Sequence, residues 1–281
     1  MIGLPADSAP WWLAVTLTGI VAYAAYRAGS LRSDGALAAL VIGTLALRVS
    51  WAWGSFLVVW FVLASALSRM GRARKAERTQ DIVAKADRRD ALQVLANGGV
   101  FAGCALWVLF IDAHSPLAAT LAATLAVAAA SALAAAGADT WSTEIGTLWG
   151  GQPWSVRTLG RVPIGTSGAI TVSGTLGGVF GAMSLAALAA ATGVIPISRI
   201  AAVAVGGIAG AAADTMLGAW GQERRWCSRC ARETERVVHT CGTHTDYLRG
   251  VHRLDNDLVN AICTLVGALI GCGIVEIGPI L

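Results

Sequence analysis

Residues 116–137 read PLAATLAATLAVAAASALAAAG, twenty-two positions without a charge. A helix rises 1.5 Å per residue, so about 20 such residues cross a hydrocarbon layer of ~30 Å. Working outward, further apolar runs place spans near 11–26, 35–50, 51–68, 92–111, 167–192, 196–218 and 258–279, which makes 116–137 the fifth of eight. The second is the weakest, being short and ending beside Trp51. No basic segment precedes the first run, so it reads as a retained span rather than a cleaved leader. Composition agrees. Of 281 residues 56% are hydrophobic and 14% charged, where soluble chains carry about 25% charge. Mean hydropathy is +0.63. The 33 glycines would weaken soluble helices, but within a bilayer they let backbones approach closely. Disorder, a disulfide miniprotein and an ordinary soluble enzyme are excluded. The expected fold is all-α: one polytopic helical bundle over 1–281 with about eight transmembrane helices.

The basic residues are one-sided. Of 21 lysines and arginines, 19 fall in the connections near 27–34, 69–91, 138–166 and 219–257, and only Arg48 and Arg199 fall in the alternate ones. The positive-inside rule puts those four connections in the cytoplasm and both termini outside. Topology accounts for a net charge of +4, so no nucleic-acid partner is expected. For the 69–91 connection topology alone is the plainer reading, and contact with phosphates or anionic lipids the functional one.

Polar residues cluster on the same side. Segment 137–150, GADTWSTEIGTLWG, sets Asp139, Thr140, Ser142, Thr143 and Glu144 at the end of the alanine-rich span. Ionisable residues at a span end point to function. Asp139 and Glu144 are five apart, about 140° around a continuous helix, so they share an ion only across a helix break and otherwise have different partners. Segment 165–168, GTSG, precedes another apolar run. Its backbone N–H groups at a helix start would form an anion site, with N-capping by Thr166 or Ser167 as the plainer reading. Gly165, Thr166, Ser167 and Gly168, with Arg161 nearby, are the candidate phosphate turn. Segment 213–221, ADTMLGAWG, repeats the ADT of 138–140 around Asp214, as duplicated halves meeting at one site would. Segment 255–260, DNDLVN, offers Asp257 and Asn260 on one helical face, Asn256 beside Asn260, and Asp255 as a cap. Asn97 adds an amide inside the fourth span. Four carboxylates (Asp139, Glu144, Asp214 and Asp257) with hydroxyl-rich turns and arginines suit Mg2+ shared with a phosphate, and phosphoryl transfer needs no strong nucleophile.

Several motifs are absent. The two lysines, Lys75 and Lys85, do not follow glycine, so no Walker A loop exists; GxGxxG, GxSxG and HExxH are also missing. The pairs Gly174/Gly178, Gly177/Gly181 and Gly206/Gly210 read as helix packing. Cys104, Cys263 and Cys272 lie in spans as small apolar fillers. The remaining cysteines share the 219–257 connection: Cys227 and Cys230 form a CxxC, and Cys241 follows between His239 and His244. In a reducing cytoplasm this reads as a zinc knuckle with His239 or His244 as fourth ligand, structural rather than catalytic, with free or redox-active thiols as the alternative.

Six strings together, QVLANGG (93–99), GADTWSTEIG (137–146), VPIGTSGAIT (162–171), ADTMLGAWGQ (213–222), CSRC with HTCG (227–242) and DNDLVN (255–260), resemble an integral membrane family first described only as a domain of unknown function. That family includes plant phytyl-phosphate kinase and animal transmembrane protein 19. Its pattern has histidine and cysteine at the positions of His239 and Cys241, which favours His239 as the zinc ligand. Ala169 departs from the family's GTSGG. The resemblance implies a kinase that converts an isoprenyl monophosphate to the diphosphate with a nucleoside triphosphate, CTP among the candidates, and Mg2+ held among Asp139, Glu144, Asp214 and Asp257. Thr140, Asn97, Asn256, Asn260 and the turn at 165–168 would bind substrate. The tail would lie among the spans. Three other readings compete, one of them a scaffold without catalysis, which the carboxylate clusters disfavour. A CTP-dependent cytidylyltransferase on a lipid phosphate would release pyrophosphate. A transporter would place its polar groups near mid-membrane, whereas here they gather at one face.

Overall fold

A computed structural model describes residues 8–84, 88–112, 115 and 117–277; Lys85 of the basic connection lies outside them. The helices are α1 (Trp11–Arg27), α2 (Ser33–Val49), α3 (Trp51–Arg69), α4 (Arg72–Thr79), α5 (Ala91–Phe110), α6 (Ala118–Trp149), α7 (Val172–Ala191), α8 (Ile200–Met216) and α9 (Asn256–Ile277). All but α4 fall on the expected spans. Six stretches are long and apolar enough to cross a membrane: α3, α5, α6, α7, Ile197–Gly221 with α8 at its heart, and α9. The helices α1 and α2 have 17 residues each, about 25 Å, and are shorter than the hydrocarbon layer.

Local chemistry sets the boundaries. The apolar stretch 35–68 splits in two because Ser50 is extended and its hydroxyl accepts the Trp53 N–H at 3.3 Å, capping α3. Asp90 and Gln93 form a capping box that starts α5. Asp255 caps α9 by accepting the Leu258 N–H at 3.0 Å. Two expectations change. First, α6 does not stop at 137. It runs 32 residues, about 48 Å, so its last turns extend past the length a bilayer needs. No break separates Asp139 from Glu144. Second, α7 begins at 172 rather than 167, because Thr171 is its cap and accepts the Gly174 N–H at 3.0 Å. Thr166 and Ser167 are therefore not helix caps, and GTSG is a turn preceding the helix.

The core is built on α6, whose residues 126–138 are all buried. The packing is close because the facing residues are small. A Cβ on Gly207 would stand 2.9 Å from the Ala134 Cβ, and one on Gly267 would stand 2.7 Å from the Ala135 Cβ. Gly174, Gly178 and Gly181 likewise lie against Ser142, Ala138 and Trp141 of α6. The periphery is apolar, with Trp107, Phe110, Leu176 and Phe180 exposed on the outer faces. Hydrocarbon rather than water is the solvent that suits such a surface.

The 219–257 connection is more ordered than a loop. It holds an antiparallel sheet of order β4-β3-β5, from β3 (Arg224–Cys227), β4 (Arg232–Thr234) and β5 (Asp246–Arg249). A two-residue hairpin pairs β1 (Trp154–Ser155) with β2 (Ala169–Ile170) and presents the GTSG turn. Glu223 closes the sheet onto the start of α9. It accepts the Arg253 N–H at 2.7 Å, His252 Nδ1 at 2.8 Å and Arg225 Nη1 at 2.7 Å. The Arg253 N–H, then the His252 and Arg225 side chains, hold its carboxyl down to about 2.

Candidate functional site

A polar cavity of about 400 Å3 opens at one end of the bundle, enclosed by α3, α4, α5, α6, α8, α9 and the GTSG turn. Its wall brings together Asp139, Thr140, Glu144, Asp214, Asn97, Asn256, Asn260 and all four residues Gly165, Thr166, Ser167 and Gly168. Residues far apart in sequence meet because α6 overshoots the bilayer length and α8 ends in a π-helical turn, Leu217–Gly221. Gly168, in the left-handed region at φ 69°, lies directly against the Ala219 backbone of that turn, and any Cβ would strike it.

The carboxylates sort into two partnerships. Asp139 on α6 and Asp214 on α8 are within hydrogen-bonding reach of each other. Asp214 Oδ2 is buried and has no hydrogen-bond partner among the described residues. Two carboxylates so close require a shared proton or a cation between them. Glu144, on another face of the same helix, pairs with Lys75 Nζ, which also donates to the Ser68 carbonyl at 2.7 Å. Separate partners, not one shared ion, resolve the five-residue spacing. Thr140 Oγ1 donates to the Ala136 carbonyl at 2.8 Å, and Asn97 Nδ2 to the Gln93 carbonyl at 2.9 Å, so each keeps an oxygen free to accept.

Two expected residues lie elsewhere. Arg161 is exposed, stacks 4.3 Å from the Trp154 ring centroid and donates to the Gln152 carbonyl; it does not line the cavity. Asp257 is buried at 8% exposure and is not on the cavity wall, whereas its neighbours Asn256 and Asn260 are. The helical step explains this. Residues four apart share a face, and 257 is turned 100° from 256. Arg69, Arg72, Lys75 and Arg89 supply the positive charge instead. In the sequence the 69–91 connection reads first as a topology signal, with contact to phosphates or anionic lipids as its functional reading, and nothing there singles out these four side chains. Burial lowers the Arg89 guanidinium from its usual value and the Glu144 carboxylate opposes that, and its backbone is fixed by Arg89 N–H to the Ser30 carbonyl at 3.1 Å.

The sheet touches the cavity through a buried trio. Arg224, fully buried, donates from Nη1 to Glu235 Oε1 at 2.6 Å and to Ser167 Oγ at 3.3 Å, and Ser167 Oγ donates to the same Glu235 oxygen at 2.5 Å. The phosphate-turn hydroxyl is thus tied to the sheet. At the far end of β3, Cys227, Cys230, His239 and Cys241 bring their ligand atoms within 4.8 Å of one another and can hold a metal ion. His239 Nδ1 is 3.2 Å from Cys241 Sγ, while His244 pairs through its backbone with Val238 outside the cluster. Thr243 and then His239 pull the Cys241 thiol down to about 5; hydrogen bonding to Cys241 pushes the Cys230 thiol up to about 11. One ready thiolate among close thiols suits a soft divalent cation.

A membrane helical bundle with a one-ended polar cavity and a Cys/His knuckle is the class these features define. The family model for "Integral membrane protein DUF92" matches residues 16–268, and the chain belongs to that family. It is 27% identical to Protein PGR of Arabidopsis thaliana over 275 residues, covering 90% of this chain and 92% of the relative. It is 28% identical to Uncharacterized membrane protein MJ0933 of Methanocaldococcus jannaschii, covering 92% of each. It is 24% identical to the Arabidopsis chloroplastic Protein VTE6, covering 85% of this chain and 64% of the relative. No solved structure matches the chain.

Proposed function

We propose that the chain is a membrane kinase that phosphorylates an isoprenyl monophosphate to the diphosphate with a nucleoside triphosphate, CTP being the first to test. The observation that carries this is the Asp139–Asp214 pair, with its buried, unpartnered oxygen, inside a cavity rimmed by Arg69, Arg72, Lys75 and Arg89. An acidic pair surrounded by cations matches a magnesium–polyphosphate complex better than either charge alone. Asp139 and Asp214 would hold Mg2+, which when bound supplies charge neutralisation on the nucleotide's phosphates. The arginines and Lys75 would orient the two phosphate groups for in-line approach. A substrate phosphate oxygen forms a bond to the nucleotide's terminal phosphorus, the bond to the bridging oxygen breaks, and the nucleoside diphosphate leaves. The membership of phytyl-phosphate kinase in the family that the sequence resembles supports this reading.

The Cys227, Cys230, His239 and Cys241 cluster would hold a structural Zn2+ that fixes the sheet, and through Arg224 and Glu235 the turn at Ser167. With the basic connections inside, the cavity faces the cytoplasm. The test incubates purified protein with farnesyl, geranylgeranyl or phytyl phosphate, labelled CTP or ATP, and Mg2+. Isoprenyl diphosphate with a nucleoside diphosphate supports the kinase. Pyrophosphate release assigns a cytidylyltransferase instead, and no product from any combination refutes both.

A further inference from the structure

Arg161 lies outside the cavity, and its surroundings give it a different role. It faces Trp154 across an antiparallel bridge, with its guanidinium stacked on the indole. Trp154 is also paired with Ile170 in the β1–β2 hairpin, and residues directly opposite in such a pair point to one face. Thr171 is extended, so Ile170 and Val172 point the same way. Val172 then heads a row at helical spacing on α7, with Leu176 and Phe180, and all three are exposed. The result is one continuous strip: a guanidinium, an indole that is 48% exposed, then large apolar side chains running down α7. We propose that the β1–β2 hairpin docks on the bilayer surface, with Trp154 at the headgroup boundary and Arg161 on the phosphate of an anionic phospholipid. This holds whatever reaction the cavity performs.

The order along the strip is the order of a membrane interface. Helix α7 has 20 residues, about the length that crosses the hydrocarbon layer, and its exposed apolar row runs up to its first residue. The hairpin before it therefore sits where the chain enters the bilayer. Tryptophan gathers at that depth because its ring is apolar and its N–H seeks a polar partner. A guanidinium beyond the ring reaches phosphate oxygens. Arg161 gives Nη1 to the Gln152 carbonyl and has further donors to offer. Charge agrees with this occupant. Arg157 on the same hairpin is exposed as well, and no Asp or Glu occurs between Glu144 and Asp214. A positive hairpin on the side of the basic connections complements the anionic lipids of the cytoplasmic leaflet. Docking would also steady the cavity, because the Val156 N–H donates to the carbonyl of Gly168 in the GTSG turn at 3.3 Å.

The test is hydrogen–deuterium exchange of the full chain in nanodiscs of phosphatidylcholine alone or mixed with phosphatidylglycerol. The N–H groups of Ser155, Leu159 and Val162 bond within the hairpin and report its opening, which docking opposes. Their exchange should be about twentyfold slower with phosphatidylglycerol, the worth of two basic residues at an anionic surface, and high salt should remove the difference. Arg161→Gln should lower that ratio about fivefold, the worth of one. Taking the ratio between discs cancels any change in the hairpin's own stability. Equal exchange of the wild type in both discs overturns the proposal, as does an unchanged ratio in Arg161→Gln. Equal slowing of the β3 amides makes the effect general rather than the hairpin's and overturns it too. Inorganic phosphate added to phosphatidylcholine discs should give no protection; protection matching that of phosphatidylglycerol would make this a site for free phosphate and refute the lipid assignment.

Discussion

Replacing Arg224 by methionine should lower the stability of the fold by about 3 kcal/mol. The Arg224 side chain is fully buried, that of Glu235 is 8% exposed, and their charged atoms are 2.6 Å apart. Removing one member of a buried pair costs roughly 3–5 kcal/mol, because the other charge is stranded without water. Two features move this case toward the low end. Arg224 Nε and Nη2 have no hydrogen-bond partner among the described residues, so part of the burial penalty leaves with the arginine. Ser167 also continues to donate to Glu235. A loss of about 3 kcal/mol is on the order of a hundredfold in the folding equilibrium. Glu235→Leu should cost about 4 kcal/mol, since the stranded guanidinium then keeps only Ser167. The double variant strands neither charge and should lose about 1 kcal/mol or less. Equilibrium unfolding in mixed micelles gives all three values and their coupling. If the two single losses add within ~0.5 kcal/mol, or Arg224→Met costs under ~1 kcal/mol, the buried-pair reasoning is wrong.

Other expectations follow from the same contacts. Asp139→Asn and Asp214→Asn should each reduce diphosphate formation roughly a hundredfold or more in the labelled-nucleotide assay, and full activity in either removes that aspartate from the site. Gly168→Ala must place a Cβ against the Ala219 backbone from a left-handed conformation; it should cost about 1 kcal/mol or more of stability and raise KM for the phosphate substrate, and unchanged kinetics would separate the turn from binding. Glu223 is held down to about 2, so its stabilising contribution is complete above its unfolded value near 4.5 and disappears as pH falls toward 2. Glu223→Gln should therefore flatten the acid limb of the stability–pH curve between those values, and an identical acid limb refutes the assignment. Cys227→Ser with Cys230→Ser should abolish bound zinc by elemental analysis, and unchanged metal content contradicts the ligand set.

The site was legible to unequal degrees. Carboxylates on apolar runs were conspicuous because charge in a span is costly, and Asp139, Glu144 and Asp214 all reached the cavity. The CxxC with His239 and Cys241 was equally visible, since metal knuckles are local in sequence. The arginines were not. In a membrane chain, basic connections serve topology whether or not they line a site, so proximity to the GTSG turn favoured Arg161, while Arg69, Arg72 and Arg89 stood out no more than their neighbours in 69–91. Arg224 was hidden for the same reason, and its burial follows from a sheet that a 39-residue polar connection did not announce.

By itself the sequence determined that this is a membrane bundle, where its long helices run, and which end carries its polar chemistry. Those features depend on hydrophobicity and helix rise, which sum along the chain. Only the tertiary structure decided which carboxylates face each other. It paired Asp139 with Asp214 across α6 and α8, gave Glu144 to Lys75, and turned Asp257 away from the cavity while Asn256 and Asn260 line it. It also decided that Arg89, Gln93 and Asn97, distant from Asp139 and Asp214 in sequence, stand on the wall of the same cavity. Rotation about a helix axis and the overshoot of α6 set those neighbours. Both are fixed by packing against other helices, which no single segment's composition records.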